Sequence, residues 1–148
     1  PHRMERIAEE CDVLFVNDSK ATTVAATEAA LAGIGRPVIL IAGGDGKGQS
    51  FVPLKPAVDR ACRAVLLIGR DAALVERGLA GSTAAIEQQG TLDKAVARAF
   101  AIARPGDAVL LSPACASLDQ FGSFGERGAR FASLVRERLK EGSPCASA

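Results

Sequence analysis

Four apolar runs, Val13-Leu14-Phe15-Val16, Val38-Ile39-Leu40-Ile41-Ala42, Ala64-Val65-Leu66-Leu67-Ile68 and Val109-Leu110-Leu111, alternate with stretches whose apolar residues recur every three or four positions. Short continuous apolar runs suit strands buried on both faces, and the helical period between them predicts βα units around a mainly parallel sheet flanked by helices. The first predicted helix carries Val24, Ala25, Glu28, Ala29 and Leu31, capped by Thr22 or Thr23 and ended by Gly33. A glycine-rich loop to Ser50 precedes a helix over about 53–63, where Pro53 and Pro56 sit in a first turn that needs no N–H partner. A Gly69-Arg70-Asp71 turn, a short helix to about Leu79 and a weaker edge strand at Ala84-Ala85-Ile86-Glu87 follow. Leu92, Ala95, Val96, Ala99 and Phe100 form a helix that Thr91 can cap, and Arg104-Pro105-Gly106-Asp107 turns the chain into a central strand at Val109. Phe131, Leu134, Val135 and Leu139 predict an amphipathic helix over about 125–140, and residues 142–148 read as a disordered tail. The segment from Met4 to Glu10 fits either a helix or a hairpin partner of the strand after it.

At 148 residues the chain suits one core rather than two. Its 18 basic and 17 acidic residues nearly cancel and form no block of like charge, which argues against nucleic acid or an anionic membrane as partner and points to a small ligand. No apolar run approaches the roughly 18 residues of a membrane span, and the basic and apolar regions of a secretory signal are missing, so a cytoplasmic protein is expected. Cys11, Cys62, Cys115 and Cys145 are too scattered for a zinc site and read as buried or incidental thiols, so no metal site is expected here. His2 is the only histidine and lies at the terminus, leaving little support for a nucleophile activated by histidine. The chain opens with Pro1-His2-Arg3 rather than methionine, as a piece of a longer protein would.

Two polar clusters stand at the exits of apolar strands: Asn17-Asp18-Ser19-Lys20-Ala21-Thr22 after the first, and Ser112-Pro113-Ala114-Cys115-Ala116-Ser117-Leu118-Asp119-Gln120-Phe121 after the last. Open α/β sheets bind ligands at the carboxyl ends of parallel strands, where helix N-termini and loop side chains converge, so the two clusters predict one shared site. If strand geometry continues past Val16, Asp18, Lys20 and Thr22 project to one side. Gly43-Gly44-Asp45-Gly46-Lys47-Gly48 is not a Walker A loop, because Ile41 stands where the first glycine belongs and Gly48 replaces the magnesium-binding hydroxyl. It reads equally as a tight turn or as a site, and Lys47 tips the balance toward a site. Each residue also has an ordinary reading: Lys20 as a solvated lysine, Asp18 as a helix cap, Ser117 as a turn cap, Phe121 and Phe124 as core. Taken together, ammonium groups from Lys20 and Lys47, hydroxyls from Thr22 and Ser117 and an apolar wall from Phe124 suit an anionic amino acid or a nucleotide phosphate. With no activated nucleophile or metal cage, the domain reads as the substrate-positioning half of an active site.

Pro1-His2-Arg3, Asn17 to Thr22, Gly43 to Lys47 and Leu111 to Phe121 together resemble the C-terminal domain of the Mur ligases, over nearly the whole chain to about Lys140. The departures are small: Gly122-Ser123 fills a variable spacer, and Val52 precedes Pro53. The resemblance implies a Rossmann-like domain over 1–141 with Met4 to Glu9 as an edge strand, and a UDP-binding and a central ATPase domain that lie outside this chain. It implies an ATP-dependent ligase of peptidoglycan precursor synthesis that adds D-glutamate to UDP-MurNAc-L-alanine through an acyl phosphate, with Mg2+ ligands outside this chain and no activity in the isolated domain. Residue by residue, it makes Lys20, Thr22, Lys47, Ser117, Leu118 and Phe124 the D-glutamate contacts, Arg3 a contact to the nucleotide phosphates and Asp18 a contact to the ribose. A related ligase for another amino acid, of Mur or folate type, and a stand-alone metabolite-binding regulatory module are the competing readings.

Overall fold

The computed structural model describes residues 1–142. The predicted tail therefore lies outside the described residues, apart from Gly142, and so does Cys145. Six strands form one sheet: β1 (Glu5–Glu10), β2 (Val13–Asn17), β3 (Val38–Gly43), β4 (Cys62–Ile68), β5 (Ala85–Gly90) and β6 (Ala108–Leu111). Their order is β1-β2-β6-β3-β4-β5, with β1 antiparallel to β2 and every other neighbouring pair parallel. Among the described residues five α-helices flank the sheet: α1 (Val24–Ile34), α2 (Lys55–Ala61), α3 (Ala72–Gly78), α4 (Leu92–Ile102) and α5 (Phe124–Glu141).

Helices cover both faces of the sheet, so every residue of β3 is buried, and that is why its sequence runs apolar without alternation. Leu40, Val65 and Leu110 face one core with Leu31, Val58 and Val75 from α1, α2 and α3. Ile39, Leu66 and Val109 face the other, with Val96, Phe100, Phe131 and Val135 from α4 and α5. Phe15 of β2 stacks on Phe100 in that second layer, with ring centroids 5.0 Å apart. The predicted central strand is β6, which lies between β2 and β3.

Several boundaries differ from the sequence reading. The segment Met4–Glu10, left open by pattern and made an edge strand by the family resemblance, holds the edge strand β1, which a two-residue turn at Cys11-Asp12 returns against β2. Helix α1 is capped by the Thr23 hydroxyl, which accepts from Ala26 N–H, and runs past Gly33 to Gly35, whose φ of 73° supplies the left-handed stop. The helix expected over 53–63 is a 3-10 turn at Val52–Leu54 followed by α2, which ends at Ala61 because Cys62 pairs in register with Val38 of β3. Helix α5 begins at Phe124, one residue before the expected start, with Ser123 Oγ accepting from Glu126 N–H. Strand β2 ends at Asn17, and the chain then turns as Ala21 N–H bonds to the Asp18 carbonyl. The extended geometry that would have put Asp18, Lys20 and Thr22 on one side therefore stops before it reaches them.

Candidate functional site

Parallel pairing brings the ends of β2, β6, β3 and β4 to one edge, and the loops that leave them are bonded to one another. Asp18 N–H donates to Leu111 O at 2.7 Å, Ala114 N–H to Ala21 O at 3.0 Å and Gly43 N–H to Pro113 O at 3.0 Å. Asp45 and Ala116 exchange both backbone bonds, at 2.9 and 2.8 Å, so the glycine-rich loop is joined to the loop after β6 as a short ladder. Gln49 bridges further: its carbonyl accepts Val24 N–H at 3.1 Å and its amide donates to Ala114 O at 2.7 Å. The two polar clusters and the glycine-rich loop thus form one connected surface.

Within it the candidate side chains fall into two groups. Lys20 is exposed and its Nζ lies 5.9 Å from the centroid of the Phe124 ring, within cation–π range. Phe124 is 38% exposed, a partly open apolar wall rather than core, whereas Phe121 packs against the core beneath α5. Lys47 is exposed at the tip of the glycine-rich loop, and Ser117 is buried next to Ala116, so the Asp45–Ala116 ladder ties their loops together. Leu118 is 70% exposed. Thr22 is half-buried and does not join Asp18 and Lys20 in the cavity they share. That cavity, of about 350 Å³, is lined by Arg3, Met4, Asp18 and Lys20 on one side and by the small residues Ala26, Ala29 and Gly33 of α1 on the other. A larger cavity, of about 590 Å³, opens at the opposite end of the sheet beside Gly35, Arg36 and Arg63. None of the converging loops reaches that end, and size alone does not make it the site.

Asp18 is an internal tie rather than the cap of α1. One carboxylate oxygen accepts Met4 N–H at 3.0 Å, the other accepts the Ser112 hydroxyl at 2.8 Å, and the Thr27 hydroxyl donates to Ser112 O at 3.1 Å. Burial pushes its pKa up, opposed by those two hydrogen bonds and by the Arg3 charge. Burial likewise holds the Cys115 thiol up at about 12, so it is a packing group and not a nucleophile. The Pro1-His2-Arg3 segment is anchored, since Lys20 N–H donates to His2 O at 2.9 Å and Asn17 Nδ2 lies 2.9 Å from His2 Nδ1. The His2 ring meets Phe124 edge-on, at a centroid distance of 6.3 Å.

The residue that pattern reading missed is Arg127, on the first turns of α5 and only 1% exposed. Its Nε donates to Ser19 Oγ at 2.9 Å, Nη2 to Ser19 O at 2.7 Å and Nη1 to Cys115 O at 3.0 Å, and Ser19 Oγ in turn donates to Phe124 O at 2.7 Å. One guanidinium therefore clamps both strand-exit loops to the helix that carries Phe124. Burial lowers its pKa to about 10. An arginine in an amphipathic helix reads as surface, and the only signal against that was its place on the stripe of Phe131 and Leu134, at i+4 and i+7. Among the described residues no group of three or more His, Cys, Asp or Glu is placed to hold a metal ion.

The carboxyl edge at which these loops meet is where open α/β sheets bind ligands. The chain belongs to the Mur ligase family: the model of the Mur ligase glutamate ligase domain matches residues 2–115. A UDP-N-acetylmuramoylalanine--D-glutamate ligase of Chromobacterium violaceum is 58% identical over 134 residues, covering 90% of this chain and 30% of the relative. The protein of the same name from Aromatoleum aromaticum is 58% identical over 142 residues, covering 95% and 30%. The chain thus spans about 30% of the length of these curated relatives. The crystal structure of MurF ligase from Thermotoga maritima in complex with ADP superposes on 95% of this chain and 32% of its own, with a TM-score of 0.65 at 15% identity, a likeness of fold. Among the described residues no helix is long and apolar enough to cross a membrane.

Proposed function

We propose that this chain is the C-terminal domain of a MurD-type ligase, which adds D-glutamate to UDP-MurNAc-L-alanine at the expense of ATP, and that its loops position D-glutamate and close over the nucleotide. The observation that carries this reading is the meeting of the loops after β2 and β6, with Lys20 over Phe124 beside the cavity of Arg3 and Asp18. In the reaction the γ-phosphoryl group passes to the carboxylate of UDP-MurNAc-L-alanine and ADP leaves. The amine of D-glutamate then attacks the acyl phosphate carbon, a C–N bond forms, the C–O bond to phosphate breaks and inorganic phosphate departs with loss of a proton from nitrogen. The ammonium groups of Lys20 and Lys47 and the hydroxyls of Thr22 and Ser117 would hold the carboxylates of D-glutamate, with Phe124 and Leu118 against its methylenes. Arg3 would meet the nucleotide phosphates and Asp18 the ribose. Mg2+ would neutralise phosphate charge from ligands outside this chain. Closure would exclude water from the acyl phosphate, which hydrolysis would waste.

In a ligase carrying this domain, Lys20→Ala and Ser117→Ala are expected to raise the KM for D-glutamate about tenfold or more while moving the KM for ATP little, because a charge-assisted hydrogen bond contributes roughly 1.5–3 kcal/mol. Equal effects on both substrates would remove the assignment of these residues to the amino acid. The isolated chain is expected to release no ADP from ATP, and release above background would overturn its reading as a partial site.

A further inference from the structure

The turn between β4 and α3, Gly69-Arg70-Asp71, carries none of the residues assigned to ligand above, yet it touches both the glycine-rich loop and the loop after β6. Asp71 N–H donates to Gly44 O at 3.0 Å, and its carboxylate accepts Gly46 N–H at 2.8 Å. Arg70 N–H donates to the carboxylate of Asp119, in the loop after β6, at 2.9 Å. The Arg70 guanidinium pairs with Asp45 Oδ1 at 2.7 Å and reaches Asp71 Oδ2 at 3.7 Å. The same Asp45 oxygen accepts the backbone N–H of Lys47 at 3.0 Å, and Lys47 holds a left-handed φ of 54° that lysine rarely adopts unaided. Gly69 fits so closely between these loops that a side chain there would lie 2.6 Å from both Asp119 Oδ2 and the Gly44 Cα.

We infer that Arg70, acting through Asp45, is a positioning residue that fixes the left-handed turn at Lys47 and so presets the Lys47 ammonium for substrate; the inference rests on the proposed reading of Lys47 as a substrate contact. Three carboxylates, Asp45, Asp71 and Asp119, meet at this corner, and each adds to the upward push on the Cys115 thiol beneath it. Without a cation among them, like charges would drive the glycine-rich loop and the loop after β6 apart. Arg70 supplies that cation while its own backbone ties down Asp119, so one residue orders the loops of both Lys47 and Ser117. Its guanidinium is engaged with Asp45, so the inference has it act through that carboxylate rather than on substrate.

The test uses a ligase carrying this domain and compares Arg70→Ala, Arg70→Lys, Lys47→Ala and the Arg70→Ala/Lys47→Ala pair. Arg70→Ala is expected to raise the KM for D-glutamate about three- to fivefold, the scale of a well-aligned exposed ion pair, with the KM for ATP unchanged. Arg70→Lys restores most of that loss, and the effect fades as salt screens the pair. The double variant is no worse than Lys47→Ala alone, because Arg70 works through Lys47. Losses that multiply, or an Arg70→Ala enzyme with an unchanged KM for D-glutamate beside an impaired Lys47→Ala enzyme, would overturn the inference and leave Arg70 a surface pair. If Lys47→Ala itself leaves that KM unchanged, the fault lies in the reading of Lys47 as a contact. Amide hydrogen exchange at Lys47 in this chain then decides the positioning: faster exchange in Arg70→Ala supports it, and unchanged exchange overturns it.

Discussion

Replacing Arg127 with methionine tests the claim that one buried guanidinium holds the site together. Methionine roughly keeps the length and the apolar stem, so the substitution removes three hydrogen bonds with little change in packing. The Ser19 hydroxyl keeps its bond to Phe124 O, and the loss falls on the carbonyls of Ser19 and Cys115. Each buried carbonyl deprived of its donor costs about 1–3 kcal/mol, or roughly 2–6 for the two. Relief from burying a charge, which is what lowers the Arg127 pKa to about 10, opposes part of this. A net loss of about 3 kcal/mol is expected, which for a domain near 150 residues lowers Tm by roughly 6–12 °C. Arg127→Lys should do almost as badly, since a single ammonium cannot reach three acceptors in the geometry of the fork. Urea unfolding of the chain, followed by far-ultraviolet circular dichroism, measures the difference, with an unchanged m-value marking a two-state comparison. A methionine variant within about 0.5 kcal/mol of the parent would refute the reasoning, because it would mean that desolvation of the guanidinium cancels its bonds completely.

Two further perturbations probe the same edge. Burial raises the pKa of Asp18 in the folded chain, so its protonated form favours folding; the contribution is complete below the ordinary aspartate value of about 3.9 and is lost as pH rises through the raised folded value. Asp18→Asn, which mimics the protonated group, should flatten the stability–pH curve in that window, and an unaltered slope in urea titrations there would show that other carboxylates set it. Gly44 has a φ of 130°, and a side chain on it would press on the Ala116 carbonyl, so Gly44→Ala should cost about 2 kcal/mol or more and disturb the amide signals of the loop after β6. Spectra altered only at Gly44 and its chain neighbours would argue that the two loops are not rigidly joined.

The parts of this fold that could be read from the residues were those set by local pattern. Val38 to Ala42 had to be a strand buried on both faces, Thr91 could cap one helix and either Thr22 or Thr23 another, because each needs only a few neighbours to be specified. The site clusters were legible for a related reason: polar residues at the exit of an apolar strand have no other place to go than the carboxyl edge. What pattern could not supply were contacts between distant segments. Strand β1 owes its conformation to pairing with β2, and its short mixed sequence is compatible with a helix until that pairing is known. The early end of α2 at Ala61 reflects the register of β4 on β3, which no window around Pro53 contains. Arg127 reaches Ser19 across 108 positions, and Asp71 reaches Gly46 across 25, so neither shows in any local signal.

These long-range ties divide the edge into two kinds of side chain. Asn17, Asp18, Ser19, Ser112 and Arg127 are buried, polar and bonded to one another or to backbone, whereas Lys20, Lys47 and Leu118 stand out in solvent and Phe124 is partly open. Burying so many polar groups is tolerable only because each finds a partner, and the network then fixes the backbone from which the exposed tips project. A domain that bound its ligand alone would be expected to enclose it, since small-molecule sites cover most of their ligand. Here the anchors are buried and bonded while the tips proposed to face ligand lie open, the arrangement expected of one wall of a site whose opposite wall belongs to another domain. On that reasoning the backbone of the edge is preorganised, and the free energy of closure is spent mainly on the rotamers of Lys20, Lys47 and Phe124. Amide hydrogen exchange in the chain alone should therefore find Asp18, Ser19, Ala21, Ala114 and Ala116, whose N–H groups are bonded within the edge, strongly protected. Uniformly fast exchange across 17–22 and 112–118 would mean that the edge is ordered only on closure.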